Sequence, residues 1–364
     1  LTLDYFSRLL MSKLSLPDPS PISLQRSNIL RQKIRAEIED SVSASIGFDR
    51  FMDIALYDEK LGYYTGPEEG FGRKGDYVTA PELGDIFGIC VGRLCSEVVS
   101  ATRGNVLEYG AGTGTLARVI LEQLSAKPSG NLVEYHIIER SKVLRSMQRR
   151  LLLEALRLDN VSWVKGPESR SFSGIVLANE VIDAFAVKRF QVHSGGVFEM
   201  RVGIQGNNFN WVLSDTEYLP PRIGSDKFGL LPEGYRFEVN FSAQNWLRKT
   251  LNALRSGIVL VLDYGYVRHE LLHPSRSEGT LRCYYRHYAH DDPFFLPGLQ
   301  DITASVNFTE LAESAVACGA EVVGFTTLNR FLIDIGAEQV FQEQMTGDPA
   351  IDYGLSQEVK KLLL

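Results

Sequence analysis

The segment from Val106 to Ala117, VLEYGAGTGTLA, constrains this chain more than any other. An apolar run carries one acidic residue, Glu108, then turns through Gly110, Gly112 and Gly114 into TLARVILEQL (Thr115 to Leu124). Glycine reaches backbone angles closed to other residues and lets a ligand approach the main chain. Exposed amides at the start of the helix suit an anionic group. The pattern reads as a short buried strand, a tight turn and a helix.

Further apolar runs of strand length follow: VEYHIIERS (Val133 to Ser141), VSWVKG (Val161 to Gly166), SGIVLANEVIDAF (Ser173 to Phe185) and GIVLVLDYG (Gly257 to Gly265). A helix is expected from about Val143 to Leu158. Apolar strands alternating with helices imply a parallel sheet covered on both faces. Between the last two strands, residues 187 to 213 alternate like strands, with SGG and GNN as turns, and 240 to 255 look helical. That interval is longer than a crossover helix needs, so an inserted lobe is expected over the carboxyl edge of the sheet.

Upstream, Pro17, Pro19 and Pro21 predict a helix break, followed by an amphipathic helix from Ile29 to about Val42. FMDIALYDEKLGYYTG (Phe51 to Gly66) reads as a short helix running into an aromatic turn. A glycine-rich loop, Glu68 to Gly88, leads into a helix through about Val99. The expected division is an N-terminal extension and helical lid over 1–103, a core over 104–186 and 257–364, and an inserted lobe over 187–256.

Charge and composition exclude several classes. Lys plus Arg is 38 and Asp plus Glu is 45, giving a net charge of −7. Sequence-independent nucleic-acid binding depends on neutralising phosphates, so no nucleic-acid partner is expected. No apolar run reaches the roughly 18 to 20 residues of a membrane-spanning helix, so no stable membrane insertion is expected. Cys90, Cys95, Cys283 and Cys318 form no CxxC pair and read as reduced, buried thiols. His269 with His273, and His287 with His290, lack a glutamate or cysteine at ligand spacing, so no metal is expected.

The glycine spacing departs from the dinucleotide fingerprint: Thr115 occupies its third position, and an extra glycine stands at 114. Glu108 would also repel a pyrophosphate. The same carboxylate suits S-adenosylmethionine, whose methionyl amine is a cation. Glu139, ending the next strand, can accept both ribose hydroxyls of an adenosyl group. The blander readings are a ligand-free turn, and a Glu139 that merely pairs with Arg140. No signature marks an adenine contact, although Lys165 to Pro167 follow the third strand. The candidate cofactor set is Glu108, Gly110, Ala111, Gly112, Gly114, Thr115, Glu139 and Asn179.

Asn179, Glu180 and Asp183 cluster at the carboxyl end of the fourth strand, where open α/β sheets bind ligands. Helical spacing would put Glu180 and Asp183 on one face of the following turn. Two carboxylates there can simply cap a helix. They can also grip a guanidinium, which is always charged and presents a planar fork of donors.

These residues, with LGYYTG, GRKGDYVTAPELGDIFG, NEVIDAFAVKRF, VLDYG, GTLRCYYRH and PGLQDITASVNFTEL, carry a resemblance. The chain resembles the MidA-type S-adenosylmethionine-dependent methyltransferases, which include the mitochondrial complex I assembly factor that methylates an arginine of a core subunit. The likeness runs from about Phe51 to about Ile335, interrupted mainly in the inserted lobe. It implies a class I methyltransferase fold: α/β, a Rossmann-like and mainly parallel sheet of the seven-stranded type, with an N-terminal helical lid and an inserted lobe. It implies S-adenosylmethionine as cofactor, S-adenosylhomocysteine as product, and a protein substrate presenting an arginine. It adds Asp76, Thr79 and Pro81 to the cofactor site and places Glu180, Asp183 and Asp263 against the acceptor. Tyr284, Tyr285, Arg286 and His287 are weaker candidates, since strand alternation would bury half of them.

Members of the family usually continue past KKLLL into a final strand, which leaves the last sheet position in question here or marks a shortened chain. The implied compartment is the cytoplasm for a bacterial chain and the mitochondrial matrix for a eukaryotic one. A homodimer is one assembly left open. Competing functions are a small-molecule methyltransferase, a non-catalytic assembly chaperone retaining the cofactor fold, and a nicotinamide-dependent oxidoreductase.

Overall fold

The computed structural model describes residues 16–66, 80–125, 133–155, 159–166, 171–217 and 231–363. The first helix, Pro21–Asp40, starts earlier than the prolines predicted. Pro21 occupies the first helical turn, where a missing N–H costs nothing, and the Ser20 hydroxyl accepts the Ser23 amide at 3.1 Å. Strand β1 (Ile46–Gly47) and the helix Phe48–Tyr57 follow. The helix Ile86–Thr102 then leads into the sheet, packed against the helix Thr115–Ser125. Gly88 makes that packing close: a Cβ there would lie 2.7 Å from the Cβ of Val119.

Strands β2 (Asn105–Tyr109), β3 (Tyr135–Ile138), β4 (Val161–Trp163) and β5 (Phe172–Asn179) come next. The chain then leaves this sheet for β6 (Lys188–His193), β7 (Gly196–Gln205), β8 (Asn208–Glu217) and β9 (Arg236–Val239), which pair antiparallel. It returns through the helix Phe241–Ala253 to β10 (Leu254–Leu262), which starts before the expected Gly257. The first sheet has the order β10-β5-β2-β3-β4, and every pairing in it is parallel. Among the described residues it has five strands, not seven. Residues 320–327 carry no ladder, and Val323 and Phe325 within them are exposed.

Register positions the chemistry. Tyr109 pairs with Ala178 and Ile138, and Asn179 pairs with Leu262. Gly110, Glu139, Glu180 and Asp263 therefore emerge side by side at the carboxyl edge of the sheet.

Two cores flank that edge. One buries Val106, Tyr135, Ile137 and Ile175 with Phe87, Val91, Leu116 and Ile120 from the two long helices. The helix Ile86–Thr102, grouped by sequence with the N-terminal segment, thus packs on the parallel sheet. The other core joins Leu30, Ile34, Phe48 and Phe51 to Val202, Phe209, Cys283 and Ile302. β1 extends this union by pairing with β7. Full burial of each such side chain contributes roughly 1.5–3 kcal/mol.

The remaining strands are β11 (Gly265–Tyr266), β12 (Arg282–Tyr285), β13 (Tyr288–His290), β14 (Asp301–Thr303) and β15 (Val306–Asn307). Arg286 and His287 form the turn between β12 and β13, at φ of 49° and 68°. Tyr285 is buried on β12, as strand alternation requires. Cys90, Cys95 and Cys283 are buried, but Cys318 is exposed. It follows the helix Phe308–Ala317, and its amide caps that helix end.

Candidate active site

Gly110, Gly112 and Gly114 adopt φ of 63°, 53° and 91°, a left-handed sequence that L side chains resist. The Gly110 amide donates to Ile138 O at 2.9 Å, which pins the loop to the end of β3. A Cβ on Gly112 would meet nothing within 4 Å, so the loop faces open space among the described residues. Over the other side lies the short turn Ala80–Leu83. Its Glu82 accepts the Thr113 hydroxyl at 2.6 Å and the Thr115 hydroxyl at 3.4 Å. Pro81 is beside this latch, while Asp76 and Thr79 lie outside the described residues.

Glu139 sits directly after β3. Its Oε1 accepts the Ser141 amide at 2.8 Å and its Oε2 the Gln148 side chain at 3.2 Å. Burial raises its carboxyl above the usual range, against those two hydrogen bonds and the Arg145 charge. Arg140 does not neutralise it: that guanidinium lies over the Tyr57 ring at 4.2 Å and donates to Asp53 at 3.3 Å.

Glu108 differs from the others. It is 2% exposed and shares its face of β2 with the core residue Val106. The Tyr135 hydroxyl donates to it at 2.9 Å, and burial pushes its carboxyl up to about 8. It is thus reached from the protein side, not from the open side of the glycine loop.

The acceptor-side candidates sit on a turn, not on the helix that their spacing suggested. Glu180 adopts φ of 52°, uncommon for a non-glycine residue, while its amide donates to Leu262 O at 2.8 Å. The strain is held by Asp263. Its Oδ2 accepts the amides of Val181 (3.2 Å), Ile182 (2.7 Å) and Asp183 (3.3 Å), and its Oδ1 that of Tyr264 (2.8 Å). The capping carboxylate is therefore Asp263, which leaves Glu180 and Asp183 for other work.

Burial pushes the Glu180 carboxyl up to about 7, opposed by the Ala80 amide and Asn179 and assisted by the Asp263 charge. Asp263 itself rises to about 6 through burial, despite its four backbone donors. Asp183 is held well above the usual range by burial first, then by the charges of Asp263, Asp301 and Glu180.

Several participants escaped sequence reasoning. Asp301 is buried, accepts the Tyr64 hydroxyl at 2.8 Å and is the cross-strand partner of Tyr284. Tyr57 donates to Ala184 O at 3.1 Å, and the Ala304 amide donates to Asp183 O at 2.9 Å. The second core thereby braces the carboxylate turn. Asp301 stands within PGLQDITASVNFTEL, Tyr57 ends the short helix and Tyr64 lies in the aromatic turn after it, so position was the available signal. Glu82 likewise lies in GRKGDYVTAPELGDIFG, whereas Gln148 has no local signal.

Comparison with known proteins identifies the family of the chain. The family model described as "Putative S-adenosyl-L-methionine-dependent methyltransferase" matches residues 90–326. A crystal structure described as that of a "superfamily member and likely methyl transferase from Burkholderia thailandensis bound to S-adenosyl-homocysteine" is 36% identical. It superposes with a TM-score of 0.88 over 96% of this chain and 91% of that one. The Drosophila melanogaster protein named "Protein arginine methyltransferase NDUFAF7 homolog, mitochondrial" is 30% identical over 313 residues, spanning 77% of this chain and 68% of that protein. Its Danio rerio counterpart is 28% identical over 337 residues, spanning 84% and 77%. The chain belongs to the MidA-type family of S-adenosylmethionine-dependent methyltransferases.

Proposed function

We propose that this enzyme methylates an arginine side chain of a protein, such as a respiratory complex I subunit. The observation that carries the reading is the half-buried Glu180–Asp183 turn, fixed by Asp263 beside the glycine loop. The names of the Drosophila and Danio relatives support the arginine and the protein substrate.

The residues fit the donor. Gly110, Ala111, Gly112, Gly114 and Thr115 form a turn whose Gly112 faces open space among the described residues; Glu139 offers a carboxylate to the ribose hydroxyls; Asn179 lies at the adjoining strand end. Glu108 sits in the core two residues before the loop, held by the Tyr135 hydroxyl. When bound, S-adenosylmethionine supplies a methyl group on a positively charged sulfur and leaves as S-adenosylhomocysteine.

Glu180 and Asp183 orient the guanidinium and localise its charge, which leaves one nitrogen better able to attack. That nitrogen gains a methyl and must lose a proton. A carboxyl near pH 7 is matched to holding that proton and passing it to water. Alignment and a water-poor corner contribute the rest.

The chain acts in the cytoplasm if it is bacterial and in the mitochondrial matrix if eukaryotic, as the mitochondrial names of the relatives support. Among the described residues, no helix is long and apolar enough to cross a membrane. The test is methyl-labelled donor added to a protein extract, followed by amino-acid analysis. Label recovered as methylarginine, and lost with Glu180→Gln, supports the reading. Label confined to metabolites would replace it with small-molecule methylation.

A further inference from the structure

Gln148, on the helix Lys142–Arg149, is 0% exposed. Its side-chain nitrogen donates to Gly112 O at 2.8 Å and to Glu139 Oε2 at 3.2 Å. Its oxygen accepts the Trp163 indole N–H at 2.7 Å. An indole nitrogen only donates and a peptide carbonyl only accepts, so these neighbours dictate which end of the amide faces which partner. Both amide hydrogens are thereby used, one on the glycine loop and one on the strand-end carboxylate. The Cγ of Gln148 also lies 3.4 Å from where a Cβ on Gly114 would stand. One neutral side chain thus joins the Gly112 carbonyl, Glu139 and β4, and lies against the space a side chain on Gly114 would need.

The choice of an uncharged residue matters. A lysine or arginine here would neutralise Glu139 and compete for its lone pairs. The Gln148 amide instead takes one acceptor position and favours the ionised carboxylate. A carboxylate has about four acceptor positions; the Ser141 and Gln148 amides take one on each oxygen, and the Arg140 amide also acts on the carboxylate. That leaves an acceptor position for a ribose hydroxyl.

We propose that Gln148 is a positioning residue for the methyl donor, locking the Gly112 carbonyl and the Glu139 carboxylate at a fixed separation so that loop and carboxylate bind as one unit. The proposal rests on the reading of Glu139 as the ribose partner. Gln148 does not touch the donor; it acts through both groups that do. Losing it leaves the Glu139 oxygen and the part-buried Trp163 N–H without that partner, and frees the loop to move independently of the carboxylate.

The test is calorimetric binding of S-adenosylhomocysteine and of its 2′-deoxy analogue to the wild type, Gln148→Leu, Glu139→Gln and the double variant. Gln148→Leu is expected to weaken S-adenosylhomocysteine more than tenfold and the deoxy analogue by less than threefold. The double variant should lose less than the product of the single losses. Trp163→Phe removes the donor to the Gln148 oxygen while keeping an aromatic ring at that position. It should give the same selectivity at smaller size, so the outcome does not depend on Gln148→Leu folding. Equal weakening of both ligands, in Gln148→Leu or in a sole surviving Trp163→Phe, would reduce Gln148 to a packing role and overturn the proposal. Tight binding unchanged in Gln148→Leu, beside a weakened Glu139→Gln, overturns it too. Unchanged binding in Glu139→Gln sinks the ribose reading and this proposal with it.

Discussion

The two halves of the site are built by opposite means. The proposed donor side is backbone and neutral amide: three left-handed glycines, a strand-end glutamate and the Gln148 side chain. The proposed acceptor side is a concentration of carboxylates, Glu180, Asp183 and Asp263 with Asp301 behind them, each held in a desolvated setting. What lowers their carboxyls comes from N–H donors, while their neighbours' charges push them up. A donor site can be preorganised at little electrostatic cost. The acceptor site stores repulsion, which a cation relieves on arrival.

The largest effect should come from breaking the donor side alone. Gly112→Val forces a β-branched residue to φ of 53° and drives its side chain into the open space above the loop. Titration with S-adenosylmethionine is expected to show at least a hundredfold loss of affinity, with the thermal unfolding midpoint falling only a few degrees. Binding retained within threefold would remove the glycine loop from the donor site.

Glu180→Gln and Asp183→Asn make the complementary break. Each is expected to cut kcat/KM for an arginine acceptor by roughly 10²–10⁴, the scale for a group handling a proton. Donor affinity should stay within threefold. A variant that lost donor affinity as well would show that the halves are not separable. Asp263→Ala belongs to neither half. It strips four backbone amides of their acceptor, so a loss of about 2–4 kcal/mol in urea unfolding is expected, with activity falling as the turn relaxes.

The same contrast explains what the sequence could reveal. Glycines at 110, 112 and 114 announce a backbone conformation directly, since few other residues tolerate it, so the donor loop is legible. The parallel sheet is equally legible from its apolar runs. The carboxylate turn is less so, because spacing at 180 and 183 suits a helix, and only Asp263, far along the chain, shows why no helix forms. Gln148 was invisible: its role depends on three partners at Gly112, Glu139 and Trp163 that no local pattern links to it. The second core escaped for the same reason, as Tyr64 and Asp301 meet only through the union of the N-terminal helices with β12 and β14.

The smallest expected effect sharpens the comparison by pH. Burial raises the Glu180 carboxyl to about 7 from an ordinary glutamate value near 4.5. Between those pH values the folded state holds a proton that the unfolded chain has released. Glu180 therefore supports stability fully below about pH 4.5, and that contribution falls away as pH rises to about 7. Glu180→Gln carries no such proton, so its stability relative to the wild type should improve by about 1–3 kcal/mol between pH 5 and pH 8. An arginine peptide reverses the trend, because a bound guanidinium favours the ionised carboxylate. Its affinity for the wild type should strengthen as pH rises through about 7, and the Glu180 contribution to that slope should vanish in Glu180→Gln. S-adenosylhomocysteine, titrated alongside, should show no change in its pH slope between the two proteins. A slope altered equally for both ligands would mean that Glu180 serves the donor half, and the division between the two halves would have to be redrawn.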